Sequence, residues 1–371
     1  MNVPFYDSTR EYNFFKEDFD KAIAEVLESG SFILGRQVND FEELIKNYTG
    51  SKYAVGVANG SDALLIASDI LGYRNNDVLT PAFTFFASAS CIARLGGTPV
   101  FVDADEDTFC MDFLDAENRM TKNTKGIIPV HLFLQTADMG LCMQLAEKYN
   151  LSVLEDAAEA FGMRTLVNGV SRHAGTIGDF GVFSFFPTKT LGGYGDGGML
   201  VTNNENLYIL AKKFRTHGAS QKYHHEYIGY NSRLDTLQAA VLQVKLSRIE
   251  ESINKRAVHG SHYRARLNNI CGIKLPVVKE NNKPVNYVFC IQAENRDRLE
   301  IYLKANGIGT AVYYPIPLHL QKCFDNLGYK KGDFPVAEKL CETIIALPMF
   351  PELTDEEINY VCDKVEDFYK K

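Results

Sequence analysis

Between about residues 50 and 205 the chain alternates short apolar runs with stretches of helical periodicity, and this alternation narrows the fold more than any other feature. The runs fall at 53–58, 77–80, 99–102, 126–131, 151–156, 180–186 and 198–202. Such a succession builds an α/β domain with a mostly parallel sheet and helices on both faces. In open sheets of that kind a ligand lies beyond the carboxyl ends of the strands. Asn59, His131, Asp156 and Lys189 all fall at or soon after such ends.

Farther along, residues 238–266 carry Val241, Leu242, Val244, Leu246, Ile249 and Ile253 at helical spacing among charges, which predicts one long helix bridging two units. A smaller α/β unit then follows, with strands expected at 287–292 and 310–314 and a closing helix at 356–369. The expected division is 1–245 for an N-terminal segment and large domain, and 246–371 for a small C-terminal domain. The stretch before residue 20 is expected to pack on the smaller unit.

A net charge of −8 argues against general binding to nucleic acid or anionic membranes. No apolar run approaches the roughly 20 residues of a spanning helix, and the first twelve residues lack a signal-peptide pattern. A cytoplasmic location is expected. The eight cysteines are dispersed without a C-x-x-C pair, and no H-E-x-x-H occurs, so no metal site is expected.

Lys189 follows Ser184-Phe185-Phe186-Pro187-Thr188 and precedes Leu191-Gly192-Gly193-Tyr194-Gly195-Asp196-Gly197-Gly198, a loop with few side chains. A desolvated lysine loses part of its preference for the charged form and becomes a nucleophile for an aldehyde, which points to pyridoxal phosphate. A solvated turn lysine is the ordinary alternative. Asp156 ends an apolar run, where it either caps a helix or pairs with the pyridinium nitrogen of that cofactor; Glu159 then reaches the ring hydroxyl. Gly60, Ser61 and Asp62 open a helix after a strand, a ready phosphate site that a plain capping turn also explains. Ser184 is a natural second phosphate donor, and Phe85 either packs in the core or stacks on the ring. The G-x-G-x-x-G at 193–198 precedes a strand rather than a helix and fails the context test of a dinucleotide fingerprint.

Together with Gly30-Ser31-Phe32-Ile33-Leu34-Gly35, Asn231-Ser232-Arg233-Leu234-Asp235 and Leu347-Pro348-Met349-Phe350-Pro351, these segments resemble the DegT/DnrJ/EryC1/StrS sugar aminotransferases, which have the pyridoxal-phosphate fold type I of aspartate aminotransferase. The resemblance covers nearly the whole chain. It implies that Lys189 carries the cofactor, that Asp156 partners its ring nitrogen, and that Ser61, Asp62 and Ser184 bind its phosphate. It further implies a homodimer with composite sites, in which Asn231 reaches the neighbouring subunit's phosphate. The loop at 191–198, Tyr223-His224-His225, and the run Tyr313-Tyr314-Pro315-Ile316-Pro317-Leu318-His319 look like members acting at a C3 ketone. Tyr313, Tyr314 and His319 are accordingly substrate candidates. Arg233 is another, binding a carboxylate of substrate or donor, or else forming a salt bridge with a carboxylate such as Asp235.

The implied reaction moves the amino group of L-glutamate to the C3 ketone of a nucleotide-linked sugar, of the UDP-2-acetamido-2-deoxy-3-oxo-glucuronate or dTDP-3-keto-6-deoxyhexose kind, for amino-sugar and surface-polysaccharide synthesis. The alternatives are amination at C4 of a UDP-, dTDP- or GDP-4-keto-6-deoxy sugar and, more remotely, a cofactor-binding regulatory protein. Two departures stand out: Leu134 where relatives usually have glycine, and Glu159 where many C3-type relatives have glutamine.

Overall fold

The computed structural model describes residues 1–370. Its centre is a seven-stranded sheet of β1 (Tyr53–Val57), β2 (Asp77–Pro81), β3 (Thr98–Val102), β4 (Thr124–Ile127), β5 (Ser152–Asp156), β6 (Phe180–Ser184) and β7 (Gly198–Thr202), in the order β1-β7-β6-β5-β4-β2-β3. The strands are near-continuous apolar runs because helices cover both faces, so neither set of alternating side chains meets water. From β6 across to β3 all pairing is parallel. Only β7 runs the other way, antiparallel to both β1 and β6. A parallel return needs a crossover, usually helical; the glycine-rich link from Ser184 to Gly198 contains no helix, and the chain reverses.

This topology gathers the carboxyl ends of β1, β2, β5 and β6 on one edge. Asp156 and Ser184 are the last residues of their strands, Lys189 lies five residues past β6, and the helix Gly60–Ile70 begins three residues past β1. A second, three-stranded antiparallel sheet of Ile273–Lys274, Phe289–Ala293 and Ile344–Leu347 packs under the helices Ile249–Leu267, Arg296–Ala305 and Asp355–Tyr369. Phe289, Ile291, Leu299, Ile345, Ile358 and Val361 form its core.

The N-terminal stretch touches both parts. Val3 bridges to Ile308 and Arg10 pairs with both carboxylate oxygens of Glu357, while the Tyr6 hydroxyl donates to the Pro187 carbonyl, 2.6 Å away and two residues before Lys189.

Two elements differ from expectation. Residues 238–266 are not one helix but two, Thr236–Leu246 and Ile249–Leu267. At the break Ser247 Oγ donates to the Val244 carbonyl, Arg248 leaves helical geometry at φ −119°, and its guanidinium is drawn to Asp18 and the Phe15 ring. Residues 310–314 are not a strand either: only Ala311 bridges to Ala346, and Pro315 and Pro317 stop any ladder from extending beyond the segment.

His173 offers a test of the core. Its Nε2 accepts from the Gly162 N–H at 2.9 Å while Nδ1 donates to the Ala174 carbonyl at 2.6 Å, which fixes a neutral ring. Burial pushes its pKa down from 6.5 to about 4. The unfolded chain therefore takes up a proton near 6.5 that the folded chain refuses until about 4, so this contribution is complete above 6.5 and drains away as pH falls. Urea melts between these pH values are expected to lose up to ~3 kcal/mol, and His173→Gln to flatten that slope. An unchanged slope in the variant would exclude His173 as its source.

Candidate active site

Asp156 is fixed at the tip of β5 by its backbone: its N–H donates to the Pro129 carbonyl and its carbonyl accepts from the His131 N–H. Its Oδ2 accepts from Ser88 Oγ at 2.6 Å and Oδ1 from the Ala158 N–H at 3.2 Å. No helix starts after Asp156, so it caps none. The side chain is 4 % exposed, and burial raises its pKa against the lowering pull of Ser88, Ala158 and Lys189. A buried carboxylate of this kind is poised for a cation.

The preceding residue, Glu155, is fully buried and does structural work. It accepts from the Gly175, Ile177 and Gly178 N–H groups and lies 3.0 Å from His131 Nε2. His131 Nδ1 accepts from the Ala137 N–H, so the ring hydrogen sits on Nε2 and points at Glu155. His131 thus braces the strand end.

Lys189 Nζ donates to Glu159 Oε1 at 3.1 Å and stands 4.4 Å from the centroid of the Tyr287 ring. Glu159 also accepts from the Phe133 N–H and from the Tyr314 hydroxyl. Burial presses the Lys189 ammonium toward neutrality, yet Glu159 and Tyr287 outweigh it, and the pKa stands above the ordinary lysine value. The expected loss of charge by desolvation is therefore corrected: without a bound aldehyde, the amine is held protonated.

On the opposite wall, the side chain of Asn59 accepts from the Asp62 N–H at 2.8 Å and caps the helix Gly60–Ile70, whose first residues have no intrahelical acceptor for their amides. Gly60 must be glycine because a Cβ there would lie 2.8 Å from Ser184 Cβ. That close approach puts Ser61, Ser184 and the positive end of the helix together.

A cavity of about 490 Å³ unites these walls. Gly60, Ser61, Phe85, Asp156, Glu159, Ser184, Lys189, Tyr313 and Tyr314 all line it. Phe85 is half exposed, so it is not core packing. Asn231 and Arg233 line an adjoining cleft instead, which shares Asn59 and Asp196 with the cavity. Arg233 forms no ion pair among the described residues, so the salt bridge with Asp235 is not made. Asp62 is not in the lining; its carboxylate accepts from Ser232 Oγ at 2.8 Å.

His319 is likewise outside the cavity. It is 2 % exposed, with Nε2 3.1 Å from Glu338 and its ring against Phe334, because the 3₁₀ turn Leu318–Leu320 packs on the helix Pro335–Thr343. Tyr287 and Ser88 are the site residues that sequence reading missed. Tyr287 reads as the start of a strand and Ser88 as one of the small residues interrupting the apolar stretch 82–93, inside the helix Ala87–Arg94; neither carries a motif.

The profile of the DegT/DnrJ/EryC1/StrS aminotransferase family matches residues 14–366. A Geobacillus stearothermophilus protein called pleiotropic regulatory protein is 44 % identical across 100 % of this chain and 99 % of its own. The UDP-N-acetyl-3-dehydro-alpha-D-glucosamine 3-aminotransferase of Acidithiobacillus ferrooxidans is 40 % identical, covering 96 % of this chain and 95 % of its own. NtdA of Bacillus subtilis, solved with its cofactor PMP, superposes with a TM-score of 0.90 at 31 % identity, over 100 % of this chain and 86 % of that one.

The cavity suits pyridoxal phosphate, of which PMP is the amino form. An amine faces its aldehyde, a buried carboxylate suits its protonated ring nitrogen, two hydroxyls at a helix start suit its phosphate, and a phenylalanine suits its ring.

Proposed function

Because the chain belongs to the DegT/DnrJ/EryC1/StrS aminotransferase family, whose enzymes use pyridoxal phosphate on nucleotide sugars, we propose that it transfers the amino group of L-glutamate to the C3 ketone of such a sugar. The observation that carries this reading is the pairing of the Lys189 amine with the buried Asp156 carboxylate in one cavity. The C3 position rests on the Acidithiobacillus relative, whose named substrate is a 3-keto sugar.

Bound in the cavity, pyridoxal phosphate supplies a carbon that receives the amino group and a ring that takes up the electron pair left by a departing proton. Lys189 holds the cofactor, then as a free amine accepts the proton from Cα of the donor and later delivers one to the sugar carbon that gains nitrogen. Asp156 keeps the ring nitrogen protonated, and Ser88 keeps Asp156 aimed. Gly60, Ser61 and Ser184 bind the phosphate, while Asp62 acts at one remove through Ser232. Tyr313 and Tyr314 face the sugar. Arg233, with no ion pair among the described residues, takes a carboxylate in the bidentate manner open to guanidinium.

Asn231, which in its own chain lines the neighbouring cleft, completes the phosphate site of a second copy of the chain, as the family resemblance implies. Light scattering is then expected to give twice the chain mass. The regulatory name of the Geobacillus relative does not displace this reading, because the Acidithiobacillus relative, matched over nearly the same length, is named as an aminotransferase.

The enzyme, given glutamate, is expected to aminate a UDP-linked 3-keto-N-acetylhexosamine, with the new amine located at C3 by NMR. Product from a 4-keto-6-deoxy nucleotide sugar alone would move the assignment to C4, and no product from either would return the protein to the regulatory class.

A further inference from the structure

We propose that Tyr287 is a further catalytic residue, whose ring face holds the ammonium that Lys189 becomes between its two proton transfers. Lys189 Nζ stands 4.4 Å from the ring centroid, and Tyr287 is 3 % exposed. The ring is anchored at both ends. Its hydroxyl lies 3.2 Å from Thr188 Oγ1, the neighbour of Lys189, and its backbone carbonyl accepts from Arg256 Nη1 at 3.0 Å. Arg256 is itself buried and also donates to the carbonyls of Asn286 and Met349, so the segment before the strand Phe289–Ala293 cannot drift.

An aromatic face shielded from water attracts a cation and does little for a neutral amine. Glu159 holds the same ammonium at 3.1 Å, and Asp156, Asp196, Tyr313 and Tyr314 are the other titratable side chains lining the cavity. In the first transfer the C–H bond at Cα of the donor breaks and its electron pair passes to the bound cofactor. The lone pair of Lys189 Nζ forms the new N–H bond. The charge thus created lies between the Glu159 carboxylate and the Tyr287 face until the ammonium gives its proton to the sugar carbon.

This inference rests on Lys189 being the proton carrier, and the experiment separates the two. Tyr287→Phe keeps the face; Tyr287→Met fills the space without it. In cofactor-free protein at about pH 9, acylation of Lys189 by an amine-directed reagent, followed by peptide mass spectrometry, is expected to quicken about tenfold in Y287M and less than about threefold in Y287F. Thr188→Val, which frees only the hydroxyl, is expected to shift it in the same direction by about twofold to threefold, and serves should Y287M fail to fold.

In the loaded enzyme, amino transfer from glutamate in a single turnover is expected to slow about tenfold in Y287M, with a larger isotope effect from Cα-deuterated glutamate and an unchanged KM, and to recover in Y287F. Wild-type acylation rates in both Y287M and T188V, or Y287F as fast as Y287M, would overturn the proposal. Turnover in Lys189→Ala would instead overturn the functional reading beneath it.

Discussion

Lys189→Ala is expected to lose amino transfer by at least ~10⁴-fold, because one amine both anchors the cofactor and moves the proton, and no other amine lines the cavity among the described residues. The fold should survive. Lys189 sits in the loop after β6, and Glu159, deprived of its ion pair, keeps the Phe133 N–H and the Tyr314 hydroxyl. Thermal melting within a few degrees of wild type, together with turnover below detection, is the expected pair of results. Turnover within about tenfold of wild type would remove the lysine from the chemistry.

Asp156→Asn is the second large effect, expected at ~10²–10³-fold in turnover. Asparagine keeps the shape and an acceptor oxygen for the Ala158 N–H, and its amide can donate to Ser88 Oγ in place of accepting from it, so the negative charge is the main loss. The charge also sets a pH dependence whose sign follows from the raised pKa of Asp156. In cofactor-free protein the carboxyl takes up its proton at a higher pH than an ordinary aspartate, whereas a cationic ring nitrogen requires the carboxylate. Cofactor affinity should therefore weaken as pH falls through that raised value, and D156N should bind weakly without this acidic decline. A variant that keeps the full decline would place the titrating group elsewhere.

Local chemistry made much of the fold and site readable in the sequence. Strands buried on both faces announce themselves as apolar runs, and Asp156, Ser184 and Lys189 were found because each follows such a run. What escaped depends on distant segments meeting. Tyr287 reaches Lys189 from about a hundred residues away, and Ser88 reaches Asp156 from 68 residues away. The run from Tyr313 to His319 looks like one functional unit, yet the tyrosines turn into the cavity while the turn at His319 is claimed by Glu338 and Phe334. The break at Ser247–Arg248 is invisible to periodicity, since the contacts found there include Asp18 and Phe15 from the other end of the chain. The sign of the Lys189 shift was missed for a similar reason: burial was legible, but the Glu159 partner that outweighs it was not.

The most direct test is to load the protein with pyridoxal phosphate, reduce it with borohydride, digest it and map the added mass. The account predicts the cofactor's mass on the peptide containing Lys189 and on no other lysine. Its appearance at a different lysine, or on none, would contradict the account at its root.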